Sequence, residues 1–401
     1  MSGSPLFIVM RSCKRYKVRG ARRTKTPAGQ RTPKLLALVL FAFVPTALAA
    51  SASHEFTMTP PAGISADIWS YFIPRDNPLS TAKVELGREL FFDPRLSANA
   101  SVSCSTCHDP RFGFADGKKV AIGINGRQGS RNTPTVLNAM FNSTLFWDGR
   151  AETLEAQALE PLVNPDEMGN SSHDEVVRRV SAITQYAEKF QTVFGGGVTA
   201  ASLGKAIAAY ERTLVSANSP YDRFVAGDRK ALSDAAQRGL TLFRTKGRCT
   251  VCHNLSASFP FFTDGNYRNT GVAGNFSGFE QLAQRATALS GEPSDAEIGD
   301  LNQQKGKFEL GRFLVTRNAL DIGSYRTPML RNVELTAPYF HDGSAATLAD
   351  VLNYYSRGGN ENTIRDWELQ AVNLTEREQL DVIEFLKSLT SDDARAATSK
   401  R

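Results

Sequence analysis

Two copies of one short pattern contain every cysteine after residue 13. The copies are Cys104-Ser105-Thr106-Cys107-His108 and Cys249-Thr250-Val251-Cys252-His253. Two thiols three positions apart can reach the two vinyl groups of one porphyrin, and the imidazole that follows then lies beneath the iron. The first haem motif (104–108) and the second haem motif (249–253) therefore predict two covalently bound haem c groups, with His108 and His253 as iron ligands.

Two other arrangements of the same cysteines are possible. Four cysteines could form two disulfides in an exported protein, or one zinc site built from two C-x-x-C pairs. Neither arrangement requires a histidine directly after each pair, and the whole chain contains only five histidines. The pattern favours haem attachment, although the sequence alone leaves both alternatives open.

The basic character of the chain comes from its first residues. The formal net charge is +6, but residues 1–49 hold ten Lys and Arg and no acid, so the remainder carries about −4. An apolar run over 35–49 ends in Ala47-Leu48-Ala49. A basic start, a short apolar stretch and an A-x-A site are typical of a secretory signal peptide. We predict a signal peptide over 1–49 and a periplasmic mature protein.

The same charge distribution argues against two classes of partner. The mildly acidic remainder lacks the net basic charge that is typical of nucleic-acid binding. The apolar run over 35–49 is too short for a membrane span of roughly 20 residues, and no second run of that length follows it. We predict no nucleic-acid partner and no stable membrane insertion.

Helical patterns occur before both haem motifs and elsewhere in the chain. The sequence predicts helices over 81–92 and near 233–243, and Thr375 with Glu378 predicts the capped start of another. Apolar residues at helical spacing form one further face: Leu203, Ile207, Tyr210 and Leu214. The segment 254–325 is rich in Gly, Asn, Ser and Phe, which predicts long irregular loops rather than a helix pair. The expected fold is mainly α, with extended loops around the haems.

An internal repeat divides the chain. Residues 133–154 match residues 327–348 at a constant offset of 194. The identical pairs are Thr133/Thr327, Pro134/Pro328, Asn138/Asn332, Phe146/Phe340, Asp148/Asp342, Gly149/Gly343, Ala151/Ala345, Thr153/Thr347 and Leu154/Leu348. Such a repeat predicts two related domains, each of which contains one haem motif. We place them at 50–225 and 226–401.

Several longer motifs resemble those of the bacterial di-haem cytochrome c peroxidase/MauG family. They are Phe91-Phe92-Asp93-Pro94-Arg95-Leu96, Arg131-Asn132-Thr133-Pro134-Thr135, Phe146-Trp147-Asp148-Gly149-Arg150, Leu330-Arg331-Asn332-Val333 and Thr336-Ala337-Pro338-Tyr339-Phe340-His341-Asp342-Gly343. The resemblance covers nearly all of residues 80–390. It implies two c-type cytochrome domains, two haems on either side of a bridging tryptophan, and one calcium ion between them.

For the first haem, the resemblance implies a pocket that binds hydrogen peroxide. Peroxide chemistry needs an open iron position, a base that moves a proton, and a group that steadies the O–O bond. The matching residues are Glu167, as the acid/base, and Gln157. Many peroxidases of the family close this iron with a second histidine from the following loop, but residues 109–130 contain none. This departure predicts an open iron and favours the MauG branch.

For the second haem, the resemblance implies a methionine ligand in the peroxidases and a tyrosine ligand in MauG. No methionine follows His341, and the matching position holds Tyr355. The repeat pairs Tyr355 with Pro161, which lies in the distal segment of the first haem. We predict that Tyr355 binds the second iron; the alternative is that Tyr354 and Tyr355 only pack on a helix face.

The resemblance also assigns residues between the two haems. Trp147 is expected to pass electrons between them, and the repeat pairs it with His341, for which we predict a hydrogen bond to a haem propionate or between the haems. The expected calcium ligands are Asn132 and the backbone carbonyls of Thr336 and Pro338, all oxygen donors as calcium requires.

These expectations describe an oxidoreductase. We predict that hydrogen peroxide reacts at the haem of His108 with help from Glu167, and that a docked protein substrate is oxidised through Trp147 and the second haem. One alternative is a conventional peroxidase supplied by a small redox protein, a cytochrome or cupredoxin; another is a non-enzymatic electron carrier. Residues 247–248, before the second haem motif, provide no surface tryptophan. The sequence therefore does not identify the path by which electrons would pass between a partner and the second haem.

Overall fold

The computed structural model describes residues 56–291 and 293–398; the predicted signal peptide lies outside them. This part of the chain contains fifteen α-helices and one short antiparallel pair of strands. The helices are α1 (Ala66–Tyr71), α2 (Thr81–Phe92), α3 (Cys104–Cys107), α4 (Leu154–Val163), α5 (His173–Ser181), α6 (Thr184–Phe194), α7 (Ala200–Glu211), α8 (Pro220–Val225), α9 (Asp234–Arg244), α10 (Phe279–Ala288), α11 (Asp295–Asn302), α12 (Phe313–Thr316), α13 (Leu348–Ser356), α14 (Glu376–Lys387) and α15 (Asp392–Thr398). The strands are β1 (Tyr267–Arg268) and β2 (Tyr325–Arg326). The mainly helical fold expected from the sequence is confirmed.

Side-chain caps fix the starts of the principal helices. Ser80 and Ser233 accept hydrogen bonds from backbone amides three residues later, at the starts of α2 and α9. At α14 the cap is reciprocal, because Thr375 and Glu378 each bond the other's backbone amide. The helices predicted at these three places are confirmed, with α9 beginning and ending one residue later than expected.

Each helix that precedes a haem motif packs closely on one other helix. A Cβ atom at Gly87 of α2 would overlap the carbonyl of Ala206 in α7, and one at Gly239 of α9 would overlap the carbonyl of Asp381 in α14. Glycine at these two positions therefore allows the close contacts α2–α7 and α9–α14. The same arrangement thus precedes both haem motifs.

The predicted repeat is visible in the backbone. Leu145 pairs with Ala151 in a short bridge, and Tyr339 pairs with Ala345 in the same way, 194 residues later. Three pairs at this offset share a positive φ: Asn138 (63°) and Asn332 (60°), Phe146 (65°) and Phe340 (69°), Gly149 (70°) and Gly343 (62°). Helices α4 and α13 then begin at equivalent positions. The repeat is confirmed, whereas the domain boundary at 225/226 stays a prediction.

The prediction of irregular loops throughout 254–325 is wrong. This segment contains α10, α11 and the short helix α12. Helix α10 buries Phe279, Leu282, Ala283 and Ala286, which follow the spacing of one helix face, against Leu310 and Phe313. The Gly- and Asn-rich composition around it concealed this short apolar stripe. No helix in the described ranges is long and apolar enough to cross a membrane.

Candidate haem sites and the residues between them

The first haem motif lies on the one-turn helix α3. The hydroxyl of Thr106 accepts a hydrogen bond from the amide of Ser103, which fixes the start of this turn. His108 follows α3, and its Nδ1 donates to the carbonyl of Phe114 at 3.1 Å. This bond selects the tautomer in which Nε2 can bind iron. Burial lowers the pKa of His108, which keeps the imidazole neutral as an iron ligand must be.

The histidine of the second haem motif is oriented by an equivalent hydrogen bond. His253 Nδ1 donates to the carbonyl of Phe262 at 2.8 Å, and burial again lowers the pKa of the imidazole. Both Phe114 (φ 59°) and Phe262 (φ 57°) have left-handed backbone conformations, uncommon for such bulky residues. Two loops of unrelated sequence thus present an equivalent carbonyl to each histidine.

The four motif cysteines are free of disulfides. Among the described residues, no group of three or more His, Cys, Asp or Glu is placed to hold a metal ion. The disulfide and zinc alternatives therefore gain no support from the described part of the chain. Burial raises the pKa of Cys107 and Cys252 to about 11 and that of Cys249 to about 12, and it also raises the pKa of Cys104. Each thiol pair is thus partly buried, as the attachment of a porphyrin edge requires.

The second haem motif opens into a cavity, called here the second cavity. Its wall includes Cys249, Cys252, His253, Trp147 and Tyr355. Apolar side chains supply much of the remaining wall: Phe243, Val251, Leu348, Leu352, Val382 and Leu386. This cavity fits a haem c group. It offers two thiols, an apolar wall and the His253 imidazole, whose Nε2 is not used in the hydrogen bond to Phe262.

The two adjacent tyrosines of α13 have different surroundings. Tyr354 is buried, its hydroxyl donates to the carbonyl of Thr270 at 2.9 Å, and the same hydroxyl accepts from the amide of Asn360 at 3.1 Å. Tyr355 instead lines the second cavity, and burial raises the pKa of its phenol. Tyr354 is therefore a packing residue, and Tyr355 is the one that faces the cavity.

Glu167 lies in the turn that follows α4, close to the first haem motif. Asn164 Nδ2 donates to its Oε1 at 2.9 Å, and the amide of Ile124 donates to its backbone carbonyl at 2.8 Å. Burial raises the pKa of Glu167, and its charge contributes to the raised pKa of both Cys104 and Cys107. A half-buried carboxyl that can exchange a proton is thus held near the first haem motif.

Gln157 is positioned by the same helix as Glu167. It is half-buried on α4, which ends at Val163 and leads directly into the turn that carries Glu167. Its backbone amide donates to the carbonyl of the helix-capping residue Thr153 at 2.9 Å. The role of the Gln157 side chain stays a prediction.

Hydrogen bonds to two backbone carbonyls join Trp147 to the predicted interhaem residues. Trp147 Nε1 donates to the carbonyl of Asn132 at 2.9 Å, and the amide of Asn132 donates to the carbonyl of His341 at 2.8 Å. The His341 ring stacks on Tyr325, with centroids 3.5 Å apart, and its Nε2 bonds the carboxylate of Glu309 at 2.8 Å. Glu309 is thus the partner of this nitrogen, and a propionate contact of His341 stays a prediction.

The three expected calcium ligands come from two distant segments of the chain. Asn132, Thr336 and Pro338 all line the second cavity. The side-chain amide of Asn132 donates through Nδ2 to the carbonyl of Lys118 at 2.8 Å. Calcium binding by these residues stays a prediction.

Sequence reasoning missed a charged cluster at the rim of the second cavity. The guanidinium of Arg268 forms ion pairs with Asp264, Asp366 and Glu368. Between the last two, Trp367 is 79% exposed, a large fraction for a tryptophan. Asp366 and Glu368 line the cavity, so the chain holds an exposed tryptophan next to them, whereas residues 247–248 contain none. No motif marks these residues, because the cluster forms only when residues 366–368 return to β1.

Gly123→Ala is expected to impair the first haem pocket. A Cβ at this position would overlap the backbone of Asp166 and Glu167, so the turn must shift. We expect a loss of about 1–3 kcal/mol in the free energy of unfolding and slower reaction with hydrogen peroxide. Chemical denaturation and stopped-flow absorbance measure the two effects.

Gly129→Ala is the matched control for this substitution. Its nearest neighbour would be the Cβ of Ala121 at 3.4 Å, an ordinary contact. We expect near-normal stability and peroxide reactivity from this variant. Unchanged peroxide kinetics in Gly123→Ala would contradict the placement of Glu167 in the pocket.

Comparison with known proteins agrees with these motifs. A family described as "Di-haem cytochrome c peroxidase" matches residues 81–230. Methylamine utilization protein MauG of Methylorubrum extorquens is 38% identical over 324 residues, 80% of this chain and 82% of that protein. Cytochrome-c peroxidase IdrP1 of Pseudomonas sp. (strain SCT) is 33% identical over 362 residues, 90% of this chain and 92% of that protein. The crystal structure of a MauG-like protein associated with microbial copper homeostasis is similar with a TM-score of 0.65 and 31% identity, over 84% of this chain and 94% of that one.

Proposed function

This chain belongs to the di-haem cytochrome c peroxidase/MauG family, and we propose that it is a MauG-like member that works in the periplasm. Membership makes it a di-haem peroxidase-type oxidoreductase. The proposal adds that hydrogen peroxide reacts at the haem of His108 and that a protein docked near the second haem is oxidised. Two electrons from that protein and two protons convert one hydrogen peroxide into two water molecules.

The protein residues of the first pocket are proposed to transfer protons and to orient the peroxide. When bound, the haem supplies the iron at which the O–O bond is cleaved. Glu167 takes a proton from one peroxide oxygen and delivers it to the other, which leaves as water. The amide of Asn164 orients this carboxyl through the 2.9 Å bond to Oε1. Gln157, on the preceding helix, is proposed to donate a hydrogen bond to the peroxide.

Trp147 is proposed to carry electrons between the two haems. Support comes from its place in the wall of the second cavity and from its indole hydrogen bond to Asn132, which lines the same wall. The amide of Asn132 in turn donates to the carbonyl of His341 at 2.8 Å, which links this segment to the second half of the repeat. A fixed distance between redox groups favours rapid transfer without rearrangement of the protein.

The observation that carries the MauG-like assignment is the contrast between the two tyrosines. The hydroxyl of Tyr354 is occupied by two backbone partners, whereas Tyr355 lines the cavity of the second haem motif. An anionic oxygen ligand lowers the potential of a haem and favours its more oxidised states. Tyr355 in that role suits an enzyme that stores oxidising equivalents for a protein substrate.

A conventional cytochrome c peroxidase is the second candidate. Met329 also lines the second cavity, and methionine is the ligand expected in that branch. However, Met329 directly follows Pro328, whose carbonyl interacts with the His253 imidazole. Met329 would therefore lie beside His253 itself, where it would be poorly placed to hold the haem as a second ligand.

Addition of hydrogen peroxide to the purified diferric protein tests the proposal. We expect one equivalent to change the absorption of both haems and to produce a state that persists in the absence of a reductant. Mass spectrometry of the same sample should show two attached haems. Rapid peroxide turnover that requires a reduced small cytochrome would favour the conventional peroxidase instead. No reaction with peroxide would indicate an electron carrier and contradict both candidates.

A further inference from the structure

Arg326 is a buried cation in the wall of the second cavity. Arg326 lies in β2 and is 8% exposed. Its backbone amide donates to the carbonyl of Trp147 at 2.8 Å. Nη1 donates to Oδ1 of Asn142 at 2.5 Å, whereas the buried Nε has no hydrogen-bond partner among the described residues. The guanidinium thus retains donors that the neighbouring protein does not satisfy.

The two other buried arginines of the described chain, and the nearly buried Arg131, have carboxylate partners. Arg131 pairs with Asp148, Arg212 with Glu155, and Arg331 with Asp222, each at 2.7–2.8 Å. Arg268, on the neighbouring strand β1 where it pairs with Tyr325, forms ion pairs with three carboxylates. No ion pair forms with Arg326 among the described residues, and burial lowers its pKa to about 10. A buried charge without a partner is strongly unfavourable, so this site is suited to an anion.

We propose that Arg326 binds a propionate carboxylate of the haem attached to Cys249 and Cys252. This inference rests on the haem proposed for the second cavity, which both cysteines and Arg326 line. A planar guanidinium can donate two parallel hydrogen bonds to a carboxylate, and Nε belongs to such a pair of donors. The propionate supplies the negative charge that the surrounding side chains do not.

The position of Arg326 gives this contact a further role. The backbone amide of Arg326 donates to the carbonyl of Trp147. A propionate bound to the Arg326 guanidinium is therefore connected to the bridging tryptophan through Arg326 alone. Arg326 is therefore a positioning residue that sets the location of the second haem relative to Trp147. It also keeps the propionate ionised at neutral pH.

Arg326→Met in the holoprotein tests the proposal. Loss of the positive charge should lower the reduction potential of the second haem. The freed propionate should then take up a proton on reduction near neutral pH, so that the potential falls as pH rises. We expect no such dependence in the parent protein. Spectroelectrochemical titration between pH 5 and 9 measures both effects, and resonance Raman spectroscopy should show a shifted propionate bending mode.

Two further variants separate charge from packing. Arg326→Lys keeps the cation and should restore most of the potential, whereas Asn142→Ala removes only the neutral partner and should leave the potential unchanged. Identical potentials and Raman spectra in Arg326→Met and the parent would overturn the inference. If mass spectrometry instead shows no haem on the parent protein, the proposed function fails, and this result is distinct from an unshifted potential in a protein that carries two haems.

Discussion

Glu167→Gln is expected to slow the reaction of the diferric protein with hydrogen peroxide by about 10²- to 10⁴-fold, the usual contribution of a positioned acid/base. Glutamine keeps the Oε1 that accepts from Asn164 but cannot exchange a proton. Stopped-flow absorbance under excess peroxide gives the rate constant directly. Haem content and the resting spectrum should match those of the parent, since neither haem motif is changed.

The pH dependence provides a second test of Glu167. Burial raises the pKa of this carboxyl above its usual value, so the ionised base forms only at higher pH than for an exposed glutamate. The peroxide rate should therefore rise with pH through this raised pKa in the parent, and this step should be absent in Glu167→Gln. A step that persists in the variant would assign the titration to another group.

Folding should not suffer from the Glu167→Gln substitution. Because the folded state binds the proton more tightly than the unfolded state, ionisation of Glu167 opposes folding, and its contribution to stability falls as pH rises between the two pKa values. The uncharged glutamine should thus leave the free energy of unfolding at pH 7 unchanged or raise it, as measured by chemical denaturation. Asp166→Asn is the matched control: this neighbouring carboxylate is 54% exposed, and its removal should alter the peroxide rate only slightly.

Tyr355→Met is expected to produce the largest change at the second haem. If the phenol binds the iron, a neutral thioether in its place should raise the reduction potential by on the order of hundreds of millivolts, since axial ligands tune haem over about 0.8 V. The absorption spectrum of the resting protein should change at the same time. The state formed with peroxide should decay faster, because the second haem no longer stores an oxidising equivalent.

Tyr354→Phe is the control for this substitution. It removes the hydroxyl that donates to Thr270 and accepts from Asn360, which should cost about 1 kcal/mol of stability per hydrogen bond. The spectrum and the potential should remain those of the parent. An unchanged spectrum and potential in Tyr355→Phe would instead show that Tyr355 only packs in the cavity, and the MauG-like assignment would lose its principal support.

Local chemistry explains where sequence reasoning succeeded. The two thiols and the imidazole that hold one porphyrin come from residues close together in the sequence. The C-x-x-C-H motif can therefore be recognised without knowledge of the fold. The starts of α2, α9 and α14 were predictable for the same reason, because a cap joins residues only three positions apart. In 254–325, by contrast, the four-residue stripe of α10 was too short to stand out from its Gly- and Asn-rich surroundings.

The sequence by itself determined the two haem motifs, the repeat at an offset of 194, and the residues that match the family. Only the tertiary structure decided which tyrosine faces the second cavity, how Glu167 is held by the loop around Gly123, and that Arg326 is buried without a carboxylate. These features depend on contacts between residues far apart in the chain, and their energies come from burial and charge compensation. Neither quantity exists until the chain has folded, so no local pattern could encode them.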